Sequence, residues 1–235
     1  MLPFPFPSPN SDRARIAVLF LYGMSAFYAI DMISNLILSG IFPAVPGNVA
    51  STAKQFLESI GFIRLVAYIS TIIYFLQWFR RAYSNLHIVG AKLLFPEGWA
   101  AGAWFIPFLN LVRPYRIMRE VWVETQLMGR EPSEKRNAAP LTLVNLWWAT
   151  WLLASLPAQY SISTHFDEMM AGKVPAFTGM DYLAQAASNF MLVTAGLLLI
   201  RIIRKVSVWE VELHDRYQRF VYQQQAKAEP AADPQ

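Results

Sequence analysis

Two oppositely charged residues lie inside long apolar stretches of this 235-residue sequence. Asp31 lies in the stretch 16–38, and Arg64 lies a few residues into the next stretch, 61–79. In adjacent antiparallel membrane helices, which rise about 1.5 Å per residue, the two side chains differ in depth by roughly 5 Å. Since a lone charge in hydrocarbon costs at least a few kcal/mol, we predict an intramembrane ion pair. It either fixes helix packing or belongs to a proton or ion relay, and the lack of further ionisable groups along a path favours the structural role.

A short aromatic segment, 98–110, is a second candidate site. It is too short to cross about 30 Å of hydrocarbon, and Pro107 interrupts it. It is therefore either a re-entrant segment that lines a lipid or solute site, or an interfacial anchor. Gly98 and Gly102 are expected to allow a tight bend or a close backbone contact. The candidate residues for this site are Trp99, Trp104, Pro107, Asn110, Arg113 and Arg116.

The arginines of this region form a basic group, with Arg80, Arg81 and Arg119 added to Arg113 and Arg116. Such a group binds anionic phospholipid headgroups in some membrane proteins. Alternatively, it reflects only the excess of positive charge that marks the cytoplasmic side of a membrane protein.

An apolar stripe with spacings of three and four residues follows the last apolar stretch: Ile202, Val206, Trp209, Leu213, Tyr217 and Phe220. This spacing predicts one face of a helix that continues to about residue 224. A solvated helix gains nothing from such a face, so we expect something to cover it. The candidates are the chain's own segments 80–94 and 114–128, a second copy of the chain, or a protein partner.

The sequence offers little for catalysis. It contains no cysteine, and its three histidines, His87, His165 and His214, lie in three separate regions outside the apolar stretches. Neither a haem pair nor an H-E-x-x-H zinc site is predicted, and neither G-x-S-x-G nor a phosphate-binding glycine loop occurs. We therefore predict no catalytic residue, no metal and no cofactor.

The composition, 55% hydrophobic and 15% charged, is more apolar than that of soluble domains, which are about 25% charged. Four apolar stretches, 16–38, 61–79, 141–160 and 182–203, predict an all-α membrane protein with four transmembrane helices. A re-entrant or interfacial segment, 95–128, and a long C-terminal helix complete one domain, 16–224. Residues 1–15 and 225–235 are expected to be disordered.

The distribution of Lys and Arg predicts the orientation. Most lie before the first stretch, between the second and third, or after the fourth, whereas Lys54 and Lys173 lie on the opposite side. By the positive-inside rule, both termini are cytoplasmic in a bacterial inner membrane. This asymmetry explains the basic pI without a nucleic-acid partner.

Several short motifs resemble a known family. They are W-F-R-R-A-Y-S-N-L at 78–86, G-W-A at 98–100, W-F-I-P at 104–107 and N-L-V-R-P-Y at 110–115. Together they resemble the bacterial membrane family called domain of unknown function 4328. The resemblance implies a four-span layout and no assigned activity.

The leading hypothesis is a non-enzymatic accessory or regulatory membrane subunit, which docks a partner or anionic lipid at its cytoplasmic face. The alternative is a small transporter or lipid-handling protein built around residues 98–110 and the Asp31–Arg64 pair. A membrane enzyme ranks third, because no catalytic motif supports it.

Overall fold

A computed structural model describes residues 6–41, 47–129, 139–173 and 177–228, and the regular structure within these ranges is entirely helical. Its elements are α1 (Ser11–Leu38), α2 (Gly47–Ser59), α3 (Gly61–Ile88), α4 (Trp99–Gly102), a 3₁₀ turn (Leu109–Leu111), α5 (Arg113–Gly129), α6 (Thr142–Leu153), α7 (Leu156–Met170) and α8 (Gly179–Ala228). Of the described helices, α1, α3 and α8 are long and apolar enough to cross a membrane. The prediction of a helical protein with membrane-spanning helices is confirmed at this level.

The predicted third span, 141–160, is divided between α6 and α7. The break has a local cause: Pro157 has no N–H to donate to the carbonyl of Leu153. The Ala154 carbonyl at the break accepts a hydrogen bond of 2.6 Å from the buried hydroxyl of Ser188. With 12 residues, α6 is about 18 Å long and does not cross a bilayer alone.

Three boundaries differ from the prediction. Residues 6–15, expected to be disordered, include the start of α1 at Ser11, and α8 extends to Ala228 instead of ending near 224. The predicted connection 39–60 contains α2. Residues 1–5 and 229–235 lie outside the described part of the chain.

The predicted domain, 16–224, comprises residues of two compact units. Unit 1 comprises Met1–Arg15, Phe75–Leu141 and Ile202–Gln235, and unit 2 comprises Ile16–Tyr74 and Thr142–Arg201. Each of α1, α3 and α8 contributes residues to both units.

The core of unit 1 comes from the motif-bearing end of α3, from α5 and from the second half of α8. The helical repeat gathers the apolar residues of each helix on one face. Fully buried members are Trp78, Phe79, Tyr83, Leu86, Ile117, Met118, Val121, Trp122, Ile202, Ile203 and Val206.

Unit 2 has an apolar exterior. On α1 and α3, Leu19, Phe62 and Ile63 are 68%, 76% and 59% exposed. Phe20 of α1 stacks on Tyr74 of α3, with ring centroids 4.7 Å apart. Such an outer surface is typical of helices that face lipid.

Candidate functional site

The loop between α3 and α5, residues 89–112, is fixed at its start by a buried tyrosine of α3. The hydroxyl of Tyr83 donates to the Glu120 carboxylate at 2.6 Å and lies 2.9 Å from the Phe95 carbonyl oxygen. The same carboxylate accepts from the backbone N–H of Leu94 at 3.3 Å. Tyr83, which lies in the motif W-F-R-R-A-Y-S-N-L of α3, therefore orients the beginning of the loop.

Arg113 closes the loop over its aromatic residues. Its guanidinium lies 3.8 Å from the ring centroid of Trp99 and 5.2 Å from that of Phe95. Such cation–π contacts contribute about 0.5–2 kcal/mol. Half-buried Trp104 packs by its edge against Phe75 and Phe79, with centroid distances of 5.4 and 6.4 Å.

The middle of the loop is a strained apolar tip. Phe108 has a positive φ of 64°, and the backbone N–H of Leu109 donates to the Pro107 carbonyl at 2.8 Å. This is a γ-turn, a strained conformation for a bulky residue. The Phe108 side chain is nevertheless 83% exposed. The exposed apolar side chains next to it in sequence are Phe105, Ile106, Leu111 and Val112. We call residues 105–112 the apolar tip.

The remaining candidates of this segment are placed as follows. Pro107 and Arg116 are exposed, and Asn110 is half-buried. A Cβ atom built on Gly98 or Gly102 would meet nothing within 4 Å among the described residues. Of the two predicted roles, a tight bend or a close backbone contact, the contact is therefore absent at these glycines within the described part of the chain.

The apolar stripe of α8 is covered within unit 1. Val206 is fully buried, and Trp209 packs edge-to-face on Trp122 of α5 at 4.8 Å. The backbones approach so closely that a Cβ atom on Gly129 would lie 3.2 Å from the amide nitrogen of Leu213.

The end of the stripe differs from the prediction. Tyr217 is half-buried and meets Phe6 edge-on at 6.0 Å. Phe220 is 53% exposed, and Val221 takes the buried position instead. Because these positions advance by 18 residues in five turns, which equals the helical repeat of 3.6, Phe220 remains in line with Ile202, and its exposure is not caused by drift of the stripe around α8.

A buried polar cluster joins the N-terminal segment to α3 and α8. The Asn85 side chain accepts from the Ser8 N–H at 2.9 Å and donates to the Ser8 carbonyl at 3.0 Å. The Asn10 amide donates to both Glu210 oxygens at 3.1 Å. A cavity of about 130 Å³ adjoins Asn10, Asn85 and Glu210. Sequence reasoning missed this cluster, although Asn85 stands in the family-like motif.

Burial dominates the electrostatics of Glu210, which lies seven residues beyond the end of the apolar stretch 182–203. Burial raises the pKa of the Glu210 carboxyl to about 7, despite hydrogen bonds from Asn10 and Asn85 that favour the charged form. The Asn10 Oδ1 atom is buried and has no hydrogen-bond partner among the described residues.

In unit 2, the structure brings Asp31 and Arg64 together. The Arg64 guanidinium Nη1 lies 2.7 Å from Asp31 Oδ2, and the two side chains are 38% and 10% exposed. Asn35 does not join the pair: its amide donates to the Asp31 backbone carbonyl at 2.7 Å.

A second ionic contact in unit 2 was not predicted. Nε2 of His165 lies 3.2 Å from Asp181, and Nδ1 lies 3.3 Å from Glu168. Asp181 raises the pKa of His165, and Glu168 adds to the effect. The described residues contain no group of three or more His, Cys, Asp or Glu side chains able to hold a metal ion.

Residues 43–208 match the model of the family described as "Domain of unknown function (DUF4328)". This match spans α2 to the middle of α8. It includes the loop, the apolar tip and Arg64, the ion-pair partner of Asp31. Neither the curated proteins nor the solved structures include a match to the chain. Because the family model covers well over half of the sequence, the chain belongs to the DUF4328 family.

Proposed function

We propose that this protein is a non-enzymatic accessory protein of the bacterial inner membrane, which binds anionic lipid through the apolar tip and its adjoining arginines. The exposed and strained Phe108 carries the proposal. The γ-turn has a conformational cost that packing of the 83% exposed Phe108 side chain within the chain does not offset. Insertion of the ring into a lipid interface offsets it by burying apolar surface.

The charges near the tip fit an anionic surface. Arg113 directly follows the tip, and exposed Arg116 lies one helical turn further along α5. Near a membrane that contains anionic lipid, each such residue contributes about 1 kcal/mol to the attraction. Four spans with both termini in the cytoplasm would bring this loop to the anionic inner leaflet.

Spin-label depth measurement tests the proposal directly, because the chain has no native cysteine. We would label Phe108→Cys in the full chain, reconstituted in nanodiscs of phosphatidylcholine and phosphatidylglycerol. The label should be more accessible to oxygen than to a water-soluble nickel complex. A label at Val211, which is 56% exposed in α8 beyond the apolar stretch, is the control and should favour nickel.

Substitution of the arginines separates lipid charge from simple insertion. Arg116→Gln with Arg119→Gln changes two exposed side chains of α5 and keeps Arg113, which also closes the loop on Trp99. This double variant should move the Phe108 label toward water only when phosphatidylglycerol is present. Nickel accessibility at Phe108 equal to that at Val211 would contradict the proposed lipid contact.

A further inference from the structure

Unit 2 contains an open cavity of about 480 Å³ between α1, α3 and α8, whose surface is largely apolar. This volume falls within the roughly 300–1,000 Å³ typical of small-molecule sites. Its polar lining consists of Tyr28, Asp31, Arg64, Tyr68, Gln185 and Asn189.

Two lining residues have buried atoms without a hydrogen-bond partner in the described part of the chain. Oδ1 of Asp31 is an acceptor and Nδ2 of Asn189 is a donor. The residues are only 7% and 2% exposed. Both atoms are covered in this structure, so a ligand reaches them only when the neighbouring side chains shift. Because a buried polar group left unpaired is costly, a molecule that then supplies one donor and one acceptor stabilises this site.

The charges of the cavity select a neutral head group. Asp31 and Arg64 lie 2.7 Å apart and neutralise each other. Because the pair has no net charge, it gives neither an anion nor a cation a net attraction that would offset the cost of leaving water. A primary amide carries no charge and suits both groups, because its N–H donates to Asp31 and its carbonyl accepts from Asn189.

The rest of the lining is apolar and includes Met24, Leu65 and Leu192. We propose that this cavity binds a neutral amphiphile, with its amide head at Asp31 and Asn189 and its hydrocarbon body against these three residues. All residues of the site belong to unit 2, so the proposal does not depend on the lipid contact of the apolar tip in unit 1.

Three ten-carbon probes that differ only in their head groups test this proposal: decanamide, decanoate and decylamine. Binding to the full chain in phosphatidylcholine nanodiscs is measured against protein-free nanodiscs, which correct for partition into lipid. Decanamide should show saturable binding in excess of partition, and the two charged probes should not.

Substitutions of Asn189 give the expected changes. Asn189→Leu removes the donor and should weaken decanamide binding about tenfold. Asn189→Asp adds a second carboxylate and should shift the preference to decylamine. Phe190→Leu changes a 54% exposed neighbour on α8 and should leave binding unchanged.

Head-group selectivity of the unmodified chain decides the question even if a variant does not fold. Saturable binding of all three probes alike, or of none, would overturn the proposal, and in the latter case the cavity would hold only water. Unchanged decanamide affinity in folded Asn189→Leu would overturn it as well.

Discussion

Asp31 and Arg64 are unequal partners. The Asp31 side chain is 10% exposed and depends on its single guanidinium contact, whereas Arg64 is 38% exposed. Removal of one partner from such a pair leaves an uncompensated charge, and replacement of both by apolar residues does not.

We therefore expect Asp31→Ala to lower the free energy of unfolding by about 1–3 kcal/mol, less than for a fully buried pair, because Arg64 lies near the start of α3 and its long side chain can extend toward the membrane surface. Combining Asp31→Leu with Arg64→Leu should restore much of the loss. Thermal unfolding of the purified variants in one detergent measures both effects. Equal or greater damage in the double variant would instead favour a relay or another partner.

Glu210 should make stability depend on pH. Its folded-state pKa of about 7 lies above the ordinary value of 4.5. Folding therefore disfavours the ionisation of Glu210. The contribution of the protonated carboxyl to the free energy of unfolding is fully present below pH 4.5 and is lost as pH rises to about 7. Glu210→Gln keeps the shape without the charge.

The melting temperature of Glu210→Gln should consequently fall less between pH 4.5 and 7 than that of the unmodified chain. At pH 8 the variant should be more stable than the unmodified chain. Glu212→Gln removes an exposed carboxylate two residues away and should keep the unmodified profile. A parallel pH dependence in Glu210→Gln and the unmodified chain would contradict the assignment to Glu210.

At the scale of elements, the sequence predicts what depends on local composition. The hydropathy of α1, α3 and α8 suffices to locate them, because a membrane-spanning helix satisfies its own backbone. Pro157 marks the break between α6 and α7 in the sequence. The hydrogen bond from Ser188 to the Ala154 carbonyl at that break, and the bond between Asn85 and Ser8, instead join distant segments. No periodicity within either segment reveals such partners, and the cavity of unit 2 likewise requires three helices in register.

The packing of α8 on α5 should be a major source of stability in unit 1. Trp209 is 7% exposed and lies against Trp122, so Trp209→Ala should cost about 3–5 kcal/mol and lower the yield of folded protein. Val208→Ala, at a 59% exposed neighbour, is the matched control. An unchanged melting temperature in Trp209→Ala, with loss of a co-purifying protein, would mean that the stripe serves a partner instead.

At the scale of the whole chain, contacts inside unit 2 determine the direction of α6 and α7. His165 meets Asp181 at 3.2 Å, and Ala154 meets Ser188 at 2.6 Å. From Ala154 to His165 the residue numbers rise along α6 and α7, whereas those of their partners fall along α8, from Ser188 to Asp181. The pair α6–α7 therefore runs antiparallel to α8. When the pairing of Ala154 with Ser188 is continued back along α6 at about 1.5 Å per residue, the start of α6 lies at about the level of Arg201. The α8 portion of unit 2 ends at that residue.

The interrupted pair α6–α7 should therefore act as a fourth crossing between the uninterrupted helices α3 and α8. The positive-inside rule predicts cytoplasmic termini, and on that prediction a fluorescent protein fused after Pro140 or after Gln235 should fluoresce. Alkaline phosphatase fused after Lys173 should be active, because that enzyme folds only outside the cytoplasm. In the full chain, Lys173→Cys should react with an impermeant maleimide in intact cells, and Pro140→Cys only after lysis. Labelling of Pro140→Cys in intact cells would mean that residues 95–128 cross the membrane, and the chain would then have a different number of spans.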